Sequence, residues 1–199
     1  MFLLKRNIIF IFVLVLAGLF PSCKQERSVS GYYPVDSLLE EQIQLLTNTP
    51  ISLQKEAWIN SGHQDTLIAS LDSATWYNEL DMFNEIDWIN RPINQGSYTV
   101  LDKQKDPYSN LIIREYRANK PMAIRYLKLY YQDTPVKLRK LESLYEMESA
   151  LLSSKRKLTM EFTDLYNKNI LSSYSVEGEQ KLVVGDSVHY LIKGKVQFN

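Results

Sequence analysis

The sequence predicts an α+β fold: two N-terminal helices packed on a curved, mainly antiparallel β-sheet. Three observations lead there. In two early segments, apolar residues recur at offsets of three and four, the period of a helix with one buried face. From Tyr98 onward, apolar and polar residues alternate at a period of two, as in sheet with one wet face. Turn formers punctuate that second half at short intervals: Asn119-Lys120-Pro121, Asp133-Thr134-Pro135, Asn167-Lys168-Asn169, Glu177-Gly178 and Gly185-Asp186. Strands joined by such short links favour a meander.

The first helix is carried by Leu38, Leu39, Ile43, Leu45 and Leu46. Ser37 and Glu40 have the Ser-x-x-Glu spacing of a capping box, which satisfies two orphan donors at a helix start. Thr47-Asn48-Thr49-Pro50 ends it. Ile51, Leu53 and Trp58 then face Leu67 and Ile68 across Asn60-Ser61-Gly62-His63, the pattern of a hairpin. Asp72-Ser73 supplies a second N-cap. Trp76, Leu80, Phe83 and Ile86 follow at offsets of four, three and three, and Pro92 closes this helix by Arg91. About six C-terminal strands come next, expected to curl around a helix. Leu158, Met160 and Phe162 mark one strand, and Val188, Tyr190, Ile192, Val196 and Phe198 mark the last. Residues 136–152 carry both periods, since Leu138, Leu141, Leu144, Tyr145, Leu151 and Leu152 have helical offsets. Strand-like neighbours favour strand there, and helix stays open.

The chain has 199 residues, 45% of them hydrophobic and 23% charged, enough for one domain with a core and far from a disordered composition. Its 23 basic and 23 acidic residues balance, so no single-sign field points to nucleic acid.

The N-terminus reads as an address. Lys5 and Arg6 precede an uncharged run from Ile8 to Phe20, shorter than the ~20 residues a spanning helix needs. Phe20-Pro21-Ser22-Cys23 follows, and Cys23 is the only cysteine. This arrangement resembles the lipobox of bacterial lipoproteins, with the small Ser22 before the cysteine. The resemblance implies that residues 1–22 are a removed signal peptide. Cys23 then becomes an acylated N-terminus carrying palmitate-type chains, and residues 23–31 a lipidated tether to a single domain over 32–199. Lys24 stands where an inner-membrane retention signal has Asp, which implies the outer membrane. The expected partners are therefore the membrane, through Cys23, and an envelope protein.

Candidate chemistry is sparse. The seven glycines form no phosphate-binding loop, no zinc-ligand spacing occurs, and no G-x-S-x-G elbow is present. No cofactor, metal or catalytic residue is expected. His63 reads as a solvated turn residue and His189 as a wet-face strand residue. Glu79, Asp81, Glu85 and Asp87 read as a solvated helix face, although a carboxylate pair of that kind would be what a glycan hydrolase needs. Lys155-Arg156-Lys157 reads as a solvated hairpin tip. Tyr116, Tyr126, Tyr130, Tyr131 and Tyr190 suit cross-strand packing, and Trp76 a core anchor. The expected function is a membrane-anchored envelope lipoprotein, not an enzyme, with a binding or assembly-support role. One alternative is a carrier of lipid or another hydrophobic ligand, by similarity to the helix-covered half-barrels of lipoprotein-sorting factors. The other is a glycan-acting hydrolase.

Overall fold

A computed structural model describes residues 31–198, which form two helices and nine strands. Helices α1 (Val35–Thr47) and α2 (Ser73–Asn84) bracket the hairpin of β1 (Ile51–Ile59) and β2 (Gly62–Ile68). The 3₁₀ turns Glu85–Asn90 and Pro92–Asn94 then lead to β3 (Tyr98–Lys105), β4 (Ile112–Ala118) and β5 (Ile124–Tyr131). Four longer strands finish the chain: β6 (Leu138–Glu148), β7 (Leu152–Leu165), β8 (Lys168–Leu182) and β9 (Ser187–Phe198). All nine belong to one antiparallel sheet in the order β2-β1-β9-β8-β7-β6-β5-β4-β3.

The expected α+β fold is corrected by this sheet. Strand makes up 54% and helix 20% of the described residues, a mainly-β composition. The N-terminal hairpin does not stand apart; β1 pairs with the last strand, from Ile51 opposite Phe198 to Ile59 opposite Tyr190. Residues 138–148 are strand, the favoured of the two readings, and the described residues from Tyr98 onward hold no α-helix. Their helical look has a local cause. The β5–β6 register shifts so that Tyr130 faces Lys140 while Tyr131 faces Leu138, leaving Arg139 as an extra residue. That bulge sets Leu138 and Leu141 three apart yet both buried, which imitates a helical period.

Both helices pack on one face of the sheet. Trp76, Leu80 and Phe83 of α2, with Ile86 and Ile89 of the following 3₁₀ turn, meet Leu127, Leu141, Leu158, Met160 and Val176 from four strands. The second helix ends earlier than expected, because its last turn tightens to 3₁₀ geometry at Glu85. Asp72 caps α2 as its position predicts, accepting from Thr75 N–H at 2.8 Å. The capping box of α1 does not form. That helix starts at Val35 after Pro34, and Val35 N–H donates instead to Asp87 Oδ1 at 3.0 Å.

Trp76 is fully buried, and its indole Nε1 has no hydrogen-bond partner among the described residues. Its contribution is therefore packing alone. Trp76→Ala is expected to cost about 3–5 kcal/mol through lost transfer energy and the cavity left behind. Trp76→Phe, which removes the orphan donor, should cost distinctly less. Chemical denaturation measures both, and a loss under ~1 kcal/mol for the alanine variant would rule out the core role.

Candidate functional site

Cys23 lies outside the described residues. The other sequence-selected residues fall into three regions of the sheet.

On the helix-covered face, the acidic cluster is not the solvated helix face expected. Glu79 is only 11% exposed; its carboxylate binds Lys55 Nζ at 2.7 Å and accepts from the Tyr174 hydroxyl. Burial and this acceptor push the Tyr174 pKa up. Gly194 lies directly opposite Tyr174, where any side chain would overlap the tyrosine ring, so the bare backbone is what admits the phenol. Glu85 holds Arg156 at 2.6 Å, and the same guanidinium lies 4.1 Å over the Tyr145 ring. Arg156 is thus turned inward within β7, and Lys155 and Lys157 flank it in the same strand rather than forming a solvated tip. Asp87 caps α1 and accepts from Asn90 at 2.7 Å; burial raises its pKa. Three of the four acids are structural ties, each aimed at a different strand or helix partner. They do not converge on a common cleft.

The opposite face carries no helix and is polar. Thr159, Ser175, Lys193 and Glu56 form one row across β7, β8, β9 and β1, and Glu161, Ser173, Lys195 and Gln54 form the next. The small hydroxyl residues in the middle of these rows leave a trough of about 510 Å³ between lysines and glutamates. No histidine or cysteine lines it. Further along this face, Glu142 is buried and accepts from Tyr126 at 3.0 Å, with Lys140 at 3.0 Å and Lys157 at 3.4 Å. Burial acts to raise its pKa, but the two lysines and the tyrosine outweigh it, and the net shift is downward. Lys128 and Lys140 also sit 4.9 and 5.0 Å from the Tyr126 and Tyr130 ring centroids. This side can bind polar groups of either sign, and within the trough the Ser173 hydroxyl donates to Glu161 Oε2 at 2.9 Å.

The two histidines sit at one end of the sheet and do not share a ligand position. His63 belongs to β2 rather than a turn, and its ring stacks on Trp58 at 4.7 Å. His189 lies 3.8 Å from Glu179, and its backbone N–H donates to Asn60 Oδ1 at 2.9 Å. Among the described residues, no three His, Cys, Asp or Glu side chains group to hold a metal ion. The same end carries an apolar feature that the sequence reading missed: Leu151, Leu182, Val183 and Val184 stand exposed at two hairpin tips. Its signal is the run Lys181-Leu182-Val183-Val184-Gly185, where a hairpin turn would ordinarily be polar.

No protein-family model matches the chain, and neither a curated protein nor a solved structure does.

The Glu79 tie predicts a structural cost. Glu79→Ala strands Lys55 and the Tyr174 hydroxyl and is expected to lower stability by about 1.5–3 kcal/mol, the range for hydrogen bonds to charged groups. An unchanged denaturation midpoint would show that the acid is free for another role. The tyrosines predict a second effect. Burial lifts Tyr33, Tyr98 and Tyr130 to about 12, against ~10 in an unfolded chain. A folded-state pKa raised in this way contributes stability that is full below pH ~10 and is lost as pH climbs through about 12. Tyrosinate absorbance should therefore rise together with unfolding in that window. Titration near pH 10 with the fold intact would contradict the burial of these rings.

Proposed function

We propose that this protein is a membrane-anchored envelope lipoprotein, held at the outer membrane through acyl chains on Cys23, with a non-enzymatic binding or assembly-support role. The observation that carries the non-enzymatic part is how the interior and its acids are used. Trp76, Phe83, Leu127, Leu141, Leu158 and Met160 fill the space between helices and sheet. Glu79, Glu85 and Asp87 are spent on Lys55, Arg156 and the start of α1.

A carrier of hydrophobic ligands needs an apolar chamber of at least ~300 Å³. Clefts of about 510, 560 and 600 Å³ are present, but each opens on the surface and has charged side chains in its wall, such as Glu56 and Lys193, Glu41 and Lys168, and Arg125 and Glu146. A glycan hydrolase needs two acids facing one cleft, and these acids face separate partners. What is left for function is the surface, above all the helix-free face with its hydroxyl trough. Attachment through lipid raises the local concentration of that face near envelope partners.

The anchor is tested by Cys23→Ser. This variant should leave the membrane fraction, or persist as an unprocessed precursor held by its signal. Unchanged acylation, measured by incorporation of labelled palmitate, would overturn the lipoprotein assignment.

A further inference from the structure

We propose that the β2 edge of the sheet is a strand-pairing surface for a second copy of this chain, joined antiparallel about Gln64 so that His63 of each copy faces Asp65 of the other. The inference rests on the sheet and its edge and is independent of the lipid anchor.

The nine-stranded sheet ends on β2 and β3, and the two edges are built differently. β3 is interrupted by the bulge between Leu101 and Gln104 and carries Lys103 and Lys105, devices that keep an edge from pairing. β2 has none of them. Its register with β1 runs unbroken from Gly62 opposite Ile59 to Ile68 opposite Leu53. It contains no lysine and no proline, and Gly62 to Leu67 are all exposed.

The backbone of β2 is open in a defined pattern. The two-residue turn Asn60-Ser61 makes Ile59 and Gly62 a hydrogen-bonded pair, so Trp58–His63 and Glu56–Asp65 are pairs of the other kind. The N–H and C=O groups of His63, Asp65 and Leu67 therefore point away from β1, and no described residue meets them there. Such an unpaired row is a template for another strand.

The side chains select the occupant. Asp65 stands directly opposite Glu56 on the helix-free face, and neither carboxylate forms a salt bridge among the described residues. Lys193, beside Glu56 in β9, lies instead over the Trp58 ring at 5.2 Å. Like charges directly opposite each other destabilise a strand pair. A partner that brings a donor to Asp65 relieves this one. His63 is two residues away on the same face, its ring held at the edge by the stack on Trp58.

When a strand pairs antiparallel with its own copy, one residue sits on the two-fold axis and fixes the register. Asp65 on the axis would bring two carboxylates together. Thr66 there would set Asp65 against Leu67, and His63 there would set Asp65 against the turn residue Ser61. Gln64 on the axis sets His63 against Asp65 twice, with Gly62 against Thr66 outside them. It also makes both His63–Asp65 pairs the hydrogen-bonded kind, which supplies about four backbone bonds across the join. The segment His63-Gln64-Asp65 is complementary to its own reverse, and that favours a second copy over an unrelated strand.

The test uses the full chain carrying Cys23→Ser, which leaves no thiol, in mild detergent. Gln64→Cys then places one thiol on the axis, where facing Cα atoms ~4.5 Å apart suit a disulfide, whereas Thr66→Cys lies ~14 Å from its counterpart. Mild oxidation is expected to link Gln64→Cys chains about tenfold faster than Thr66→Cys chains, or than Tyr166→Cys chains that report chance collision. In sedimentation of chains without these cysteines, His63→Asp should weaken the dimer about tenfold, and adding Asp65→Lys should restore it. Recovery in the double variant excludes a folding defect, because it carries the same His63 change. Equal linking at all three positions, or a chain that stays monomeric through a concentration series, overturns the inference. Fastest linking at Thr66→Cys overturns the His63–Asp65 register. A monomeric chain whose β2 amides gain exchange protection only from an added extended basic peptide assigns the edge to a peptide and overturns the second copy. None of these outcomes bears on acylation of Cys23, which the palmitate measurement reads separately.

Discussion

The pairing of β1 with β9 is the constraint on which the rest of the structure depends. It joins residues 51–59 to residues 190–198, so the sheet is closed only by partners about 140 residues apart in sequence. The two helices flank the β1–β2 hairpin in sequence. Once β1 is fixed beside β9, α1 and α2 are delivered to the same face of β8 and β7, where the apolar strand residues await them. Without that pairing, the hairpin would be an isolated two-stranded unit, which is marginal in water.

Helix docking is then locked by polar groups as well as by packing. Gln42 of α1 is buried and doubly used: its Nε2 donates to the Asn169 carbonyl at 3.0 Å, and its Oε1 accepts from Leu171 N–H at 2.7 Å. Asp87 caps α1 from 52 residues away. Glu79 and Glu85 bind Lys55 of β1 and Arg156 of β7. Each is a directional contact that fixes where a helix sits, whereas apolar burial alone permits sliding. Two tyrosine–glycine pairs on β8 and β9 serve the same purpose within the sheet. Tyr174 covers Gly194 and Tyr190 covers Gly178, so each ring fills the space that a side chain at the facing glycine would take.

The two faces and the two ends of the sheet consequently do different jobs. One face is closed by helices and filled. The other stays wet, with Glu142 held by two lysines and a tyrosine and with a hydroxyl trough alongside. The edges are β2 and β3, and β3 is blunted by a bulge at Asp102 and Lys103, with Asp102 held to about 2 by Arg114. An interior so fully committed to packing leaves recognition to the surface, which is where the proposed function places it.

Much of the local structure was legible in the sequence because it depends on neighbours along the chain. The 3.6 period of Trp76, Leu80 and Phe83, the Asp72 cap, the turn between β1 and β2 and the alternation of the last strands each need only a few residues to specify them. What only the tertiary structure decided involves partners remote in sequence. The bulge at Arg139 lent a strand some helical offsets and so kept helix open there, since register is set by the facing strand and not by the chain itself. The capping box at Ser37 lost to Asp87 because the folded chain supplied a better-placed acceptor. The acids of the second helix read as solvated until Lys55 and Arg156 arrived from β1 and β7. The extent of the single sheet likewise turned on a remote event, the capture of the N-terminal hairpin by β9, which no pattern within either segment encodes.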